Sequence, residues 1–251
     1  MRVDFHFTPH QADEIWLRNK DVVVIDVLRS STTIATALRN GAKEIIPVAT
    51  VERAVKMSGN LFGDAILRGG ERNGRMIEGF NLGNSPTEYT EDKVRGKGII
   101  FSTTNGTLAI ERARFAQALV ICGFVNMSAV TAFLLEQKKD FVILCSGRNG
   151  MFSLEDTVCA GMLLRRMLDD PDSDIELSDG ALAAVTLYNR LGRNILKMLR
   201  GSEHGRYLIQ IGLEEDLAVC AGVDTVPVLP RLVGGVLRLT AEPGARVSPA
   251  A

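Results

Sequence analysis

Histidine is scarce: only His6, His10 and His204 occur in the 251 residues. So few imidazoles leave little material for a zinc site or for a serine or cysteine triad. Cysteine is hardly commoner, with Cys122, Cys145, Cys159 and Cys220 widely spaced and no C-x-x-C pair. Most of them sit among apolar residues, which reads as reduced core thiols in a cytoplasmic protein. A metal is then expected to be a hard cation held by oxygen ligands. No apolar run reaches membrane-spanning length, and the opening MRVDFHFTPH has no signal-peptide core. The formal net charge is only −1, so whole-protein electrostatics call for neither nucleic acid nor an anionic membrane.

What is present is an ordinary globular composition, 46% hydrophobic and 24% charged. The expectation is a single α/β domain over residues 1–240, either whole or as two pseudo-repeated halves, and a flexible tail over 241–251. The stretch that organises the chain is VVVIDVLRSSTTIATALRNG, Val22 to Gly41. Four β-branched residues suit a strand buried on both faces. A polar turn follows, then Ile34, Ala35, Ala37 and Leu38 at near-helical spacing, with Gly41 as the stop. Strand, polar turn and helix place functional groups at the carboxyl end of an open α/β sheet. The hydroxyls of Ser30, Ser31 and Thr32 at a helix start suit an anion, and Arg29 adds a planar fork for phosphate or carboxylate. Asp26 stands at the strand end, placed to hold a metal or to attack. A plainer alternative is that Ser30 or Ser31 caps the helix and Asp26 caps the turn.

Two more strand–turn–helix units repeat this layout. Ile99 to Phe101 feeds STTNGT, which supplies Thr103, Thr104, Asn105 and Gly106. Phe141 to Cys145 feeds SGRNG, which supplies Arg148 among residues suited to close approach of a ligand to the backbone. Ser153 and Asp156 then form a capping-box-like S-x-x-D, with Glu155 and Asp156 in the first helical turn. Arg68 to Tyr89 is expected to be a long loop, anchored by Met76, Ile77, Phe80 and Leu82 and therefore functional rather than disordered. It carries Glu71 and Arg72, a metal ligand beside an anion clamp or merely an exposed ion pair, and also Asn84 and Ser85. Glu214 and Glu215 read as a solvated face.

The motifs DVLRSSTTIATAL, GGER, GFNLGNSP, STTNGT, CSGR, FSLED-x-x-CAG and GLEEDLAVCA occur in this order. Together they resemble the magnesium-dependent 2-phosphosulfolactate phosphatase family of the coenzyme M pathway, from about Val3 to Pro230. The resemblance implies a three-layer α/β/α fold with a mostly buried mixed or parallel sheet. It also implies hydrolysis of (2R)-O-phospho-3-sulfolactate to (2R)-3-sulfolactate and phosphate with Mg²⁺ as cofactor. The residues agree with such chemistry. A small ester carrying phosphate, sulfonate and carboxylate has about four negative charges near neutral pH. Arg29, Arg72 and Arg148 can meet them, and Asp26, Glu71, Glu155 and Asp156 are the nearest oxygen ligands for the metal. Asp26, Arg29, Glu71 and Arg72 are thus the expected catalytic group, and the hydroxyls and amides of the turns the expected substrate contacts. Two alternatives remain: a phosphatase for another small phosphorylated 2-hydroxy acid, and a non-catalytic protein that captures a small anion. No partner beyond that ester is expected, a homo-oligomer being left open. The strand end reads D-V-L-R instead of D-x-D-x-T, so no second acid stands ready to protonate the leaving oxygen.

Overall fold

In the computed structural model, which describes residues 1–59 and 65–239, the architecture follows from β2 (Asp21–Ile25), all of whose residues are buried. Val23 and Ile25 pack into one core with Val120, Ile143 and Val158. Val22 and Val24 pack into another with Ile34, Ile99 and Leu119. Alternation along a strand thus fills both faces of the sheet, and each face is covered by helices. The protein is a three-layer α/β/α structure, as the sequence predicts.

Preceding β2 are β1 (Arg2–His6) and α1 (Glu14–Leu17). After it come α2 (Ser30–Arg39), β3 (Glu44–Pro47), α3 (Val51–Gly59), β4 (Ile66–Arg72), β5 (Arg75–Met76) and α4 (Glu91–Val94). The middle of the chain forms β6 (Gly98–Ser102), α5 (Gly106–Arg112), β7 (Ala118–Cys122), α6 (Met127–Gln137), β8 (Phe141–Cys145) and α7 (Leu154–Leu168). Then follow β9 (Glu176–Leu177), α8 (Asp179–Leu191), α9 (Ile195–Gly201), α10 (Glu203–Gln210) and α11 (Glu214–Cys220). The hairpin β10 (Pro230–Val233) and β11 (Val236–Leu239) is the last of the described elements.

The strands form one mixed sheet of order β5-β4-β6-β3-β11-β10-β7-β2-β8-β1-β9. A parallel block β4-β6-β3 lies on one side and a parallel block β7-β2-β8-β1 on the other. The antiparallel hairpin β10–β11 bridges them, pairing Arg231 with Val120 and Leu237 with Ile45. Three antiparallel pairings separate β3 from β7, so the two parallel blocks run in opposite senses across the bridge.

Two expectations need correction. The stretch from Arg68 begins as strand: β4 runs to Arg72, and its hairpin to β5 turns on Asn73 and Gly74, both at positive φ as a type I′ turn requires. Glycines let β4 lie close to its neighbours, since a Cβ at Gly70 would fall 2.0 Å from the Ser102 carbonyl oxygen. Of the expected anchors, Ile77, Phe80 and Leu82 are buried but Met76 is exposed. The strands β10 and β11 were not anticipated; they turn on Gly234-Gly235, again both at positive φ. Neither Asn126 nor Ser128 caps α6 with its side chain; the Ser128 N–H instead donates to Asp224 Oδ1 at 2.6 Å. The expectation for the tail from residue 241 lies outside the described residues. Among those described, no helix is long and apolar enough to cross a membrane.

Candidate active site

Three turns at strand ends meet over one cleft of about 180 Å³. From β2 come Asp26, Arg29 and Ser30; from β6 come Thr104 and Asn105; from β8 come Arg148 and Asn149. Glu71 at the end of β4, Asn84 beyond it and the hairpin residues Asn73 and Gly74 close a second side. His204 and Tyr207 of α10 close the third.

Hydrogen bonds stitch the turns together. The Ser30 hydroxyl lies 3.2 Å from Thr103 Oγ1, and the Asn149 N–H donates to Asn105 Oδ1 at 3.0 Å. Glu71 accepts from the N–H groups of Thr104 and Gly74, each at 2.7 Å. Gly106 opens α5 where no side chain could stand, because a Cβ there would meet Asp26 Oδ2 at 2.4 Å. This gives the second of the three turns a reason for its Asn-Gly beyond turning the chain. The Leu28–Arg29 peptide bond is cis.

The arginines are held, each differently. Arg29 and Asp216 of α11 form an ion pair at 2.6 Å with both side chains 3% exposed, and Arg29 also donates to the Gly74 carbonyl at 2.8 Å. Asp216 accepts a further bond from Ser85 Oγ at 2.5 Å. Two of the five N–H donors of Arg29 are therefore committed, and the plane of its fork is fixed along the cleft. Arg148 lies over the Tyr207 ring, 5.1 Å from its centroid, and pairs with Glu203 at 2.6 Å. Arg72 is not in the cleft wall: its guanidinium donates to the carbonyls of Glu71 and Ala49 and to Ser102 Oγ.

Burial dominates the electrostatics. It raises the Asp26 carboxyl to about 6, opposed by the Ser30 hydroxyl and His204 and reinforced by Glu71 and Glu155. Burial also pushes Asp156 well up, with Asp26 and Glu155 adding to it. At Glu155 burial acts in the same sense, but the hydrogen bond and charge of His204 outweigh it and hold this carboxyl below its ordinary range. His204 Nδ1 lies 3.2 Å from Glu155 Oε1.

Thus Asp26, Arg29, Ser30, Glu71, Asn84, Thr104, Asn105 and Arg148 are brought together as expected, all lining the cleft. Ser31, Thr32, Ser85, Thr103 and Gly106 support it from behind. Ser31 Oγ accepts from the Asp26 N–H at 2.9 Å, and neither Ser30 nor Ser31 is the helix cap: that position is Arg29, with no side-chain cap bond. Of the four carboxylates expected to hold a metal, Asp26 and Glu71 face the cleft. Glu155 stands behind His204, while Asp156 accepts from the N–H groups of Val27 and Gly147 and from Ser146 Oγ. Among the described residues, no three His, Cys, Asp or Glu side chains converge as a ready-made metal cluster. Two buried oxygens on the cleft, Asn84 Oδ1 and Thr104 Oγ1, find no partner among the described residues. A buried oxygen left so costs about 1–3 kcal/mol, which a ligand would recover. With the two carboxylates they make an all-oxygen donor set that fits a hard divalent cation. Sequence reasoning missed His204, Tyr207 and Asp216. The one available signal was the i,i+3 spacing of His204 and Tyr207, which puts both on one helix face.

Carboxylates and arginine forks at sheet ends, over a cleft lined with unpartnered oxygens, are the equipment of a phosphate-ester hydrolase. Residues 6–235 match the model of the 2-phosphosulpholactate phosphatase family, and the chain belongs to that family. A protein of Caldanaerobacter subterraneus subsp. tengcongensis is 41% identical over 90% of this chain and 93% of its own. One of Symbiobacterium thermophilum is 42% identical over 87% and 94%, and one of Clostridium acetobutylicum 38% identical over 94% and 99%. All three carry the name probable 2-phosphosulfolactate phosphatase.

Proposed function

We propose that this protein is a Mg²⁺-dependent phosphomonoesterase that converts (2R)-O-phospho-3-sulfolactate and water to (2R)-3-sulfolactate and phosphate. The observation that carries the reading is Asp26: a carboxylate at a strand end, raised chiefly by burial and further by Glu71 and Glu155, on the same cleft as an arginine fork fixed by Asp216. Asp26 and Glu71 would hold the Mg²⁺, which when bound neutralises phosphate charge and orients water. Arg29, anchored on Asp216 and Gly74, grips the phosphoryl oxygens in a fixed plane. Arg148, stacked on Tyr207, meets the sulfonate or carboxylate at the other side of the cleft. Ser30, Asn84 and Thr104 offer hydroxyl and amide contacts to the remaining oxygens. Phosphoryl transfer needs positioning and charge neutralisation above all, so direct attack by water is favoured over an aspartyl-phosphate intermediate. Four buried, unpaired thiols support a cytoplasmic setting.

The test is phosphate release from the ester before and after removal of metal with a chelator. Release that stops and returns on adding Mg²⁺ is expected. Full activity in a thoroughly metal-free preparation rejects the metal assignment, and stoichiometric binding without release makes the protein an anion-capture module. Rapid acid quench with labelled phosphoryl groups decides the route, since label on Asp26 would reject direct hydrolysis.

A further inference from the structure

The ester to be broken joins phosphorus to an alkyl oxygen, which leaves as a strongly basic alkoxide unless it is protonated. Asp26 is engaged in holding charge, and the turn offers no second acid two residues on. The structure supplies an imidazole instead. His204 lines the cleft together with Asp26. Its Nδ1 lies against Glu155 Oε1, with the imidazole 15% exposed and Glu155 3% exposed. A carboxylate at Nδ1 takes that N–H and fixes the ring, leaving Nε2 for the cleft.

The ring stands on a firm base. Ser202 caps α10 by accepting from the Gly205 N–H at 2.9 Å, and a Cβ at Gly205 would fall 1.8 Å from the Leu199 carbonyl oxygen. The start of α10 is therefore packed directly on the end of α9. Glu155 is equally fixed, in the first turn of α7 behind the Ser153 cap, where the helix dipole favours its charge.

We propose that His204 is the general acid of the reaction and that Glu155 is its positioning residue. This rests on the phosphatase reading above. As water oxygen bonds to phosphorus, the bond from phosphorus to the ester oxygen breaks. The proton on His204 Nε2 passes to that oxygen, giving the free hydroxy acid. The proton shed by the attacking water leaves with the phosphate or through solvent, and Nε2 is reprotonated from water for the next turnover.

Kinetics of the whole Mg²⁺-loaded enzyme on (2R)-O-phospho-3-sulfolactate test this. His204→Gln should lose about 100-fold in kcat with KM changed less than about threefold, a size usual for a lost general acid. His204→Ala, which opens a hole at the same place, should regain at least about tenfold on addition of imidazole. A variant with wild-type kcat overturns the assignment. So does a loss carried by KM, or one that imidazole does not restore in a protein with an unchanged melt, for either marks a binding or structural role. If the wild-type enzyme releases no phosphate from the ester, the phosphatase reading itself fails and this one with it.

Discussion

Two of the walls that bound the cleft differ in origin. One is the row of strand ends, where Asp26, Thr104 and Arg148 each stand within four residues of the β-strand that positions them. The other is helical: α10 and α11 bring His204, Tyr207 and Asp216 from far along the chain. Arg29 and Asp216 are separated by 187 residues, and Ser85 and Asp216 by 131. The first wall is made by local chain geometry, a buried strand stopping at a polar turn. The second is made by tertiary packing alone. Chemistry-bearing residues of the first kind announce themselves in a pattern, whereas those of the second kind look like ordinary surface helix until the fold closes.

If the strand-end wall holds the charge and the helical wall holds the geometry, substitutions on the two should fail differently. Asp26→Asn should have the largest effect, at least a thousandfold in kcat, about 4 kcal/mol or more, with Mg²⁺ binding weakened in step. The same variant has an opposite effect on stability. Asp26 has a folded-state value of about 6 against an ordinary 3.8, so between those pH values the folded metal-free chain keeps a proton that the unfolded chain has lost. Stability therefore falls as pH rises through that window. Metal-free Asp26→Asn should exceed wild type by on the order of 3 kcal/mol at pH 7, with the gap closing toward pH 4, as read in urea melts. Equal melts at both pH values would place Asp26 in water.

On the helical wall, Asp216→Ala should act first on the fold. It strands a buried guanidinium and should cost about 3 kcal/mol or more of unfolding free energy. A loss below about 1 kcal/mol would detach α11 from the account of Arg29. Arg29→Lys, which joins the two walls, should lose at least about tenfold in kcat/KM, near 1.4 kcal/mol, because an ammonium cannot serve Asp216, Gly74 and a phosphate together. Wild-type kinetics would make Arg29 a structural residue only. The smallest effect is expected at Arg148→Lys, about threefold in KM with kcat intact, since Arg148 grips a group remote from the reacting phosphorus. A kcat loss there would move it next to the chemistry.

How far the site could be read in advance follows the same division. β2 and β8 were legible because four or five consecutive apolar residues admit little but a doubly buried strand, and Asp26 and Arg148 follow from where those runs stop. Glu71 and Asn84 were legible as polar residues in a Gly-rich stretch, yet Gly69 and Gly70 also disguised that β4 continues to Arg72. Arg72 carried the same signal as Arg29, but its fork turned to backbone carbonyls, a choice no pattern encodes. Asp216 reads as one of three consecutive acids at a helix start, and only its burial against Arg29 separates it from Glu214 and Glu215. His204 needed Glu155 beside it, and a separation of 49 positions hides that.

The central hairpin sets the order in which the molecule can be completed. Of the strands described, β10 and β11 are the last translated, yet they lie between β3 and β7 in the middle of the sheet. At roughly 5–20 residues per second, β2 leaves the ribosome some 10–40 s before β10 does. In the later part of that interval, once β8 has been made, the two parallel blocks are each a sheet with an open, apolar inner edge, Ile45 on one and Val120 on the other, both left without their eventual partners. Nascent chains therefore spend their riskiest seconds with two unpaired edges, and a chain ending before Pro230 would never cover either.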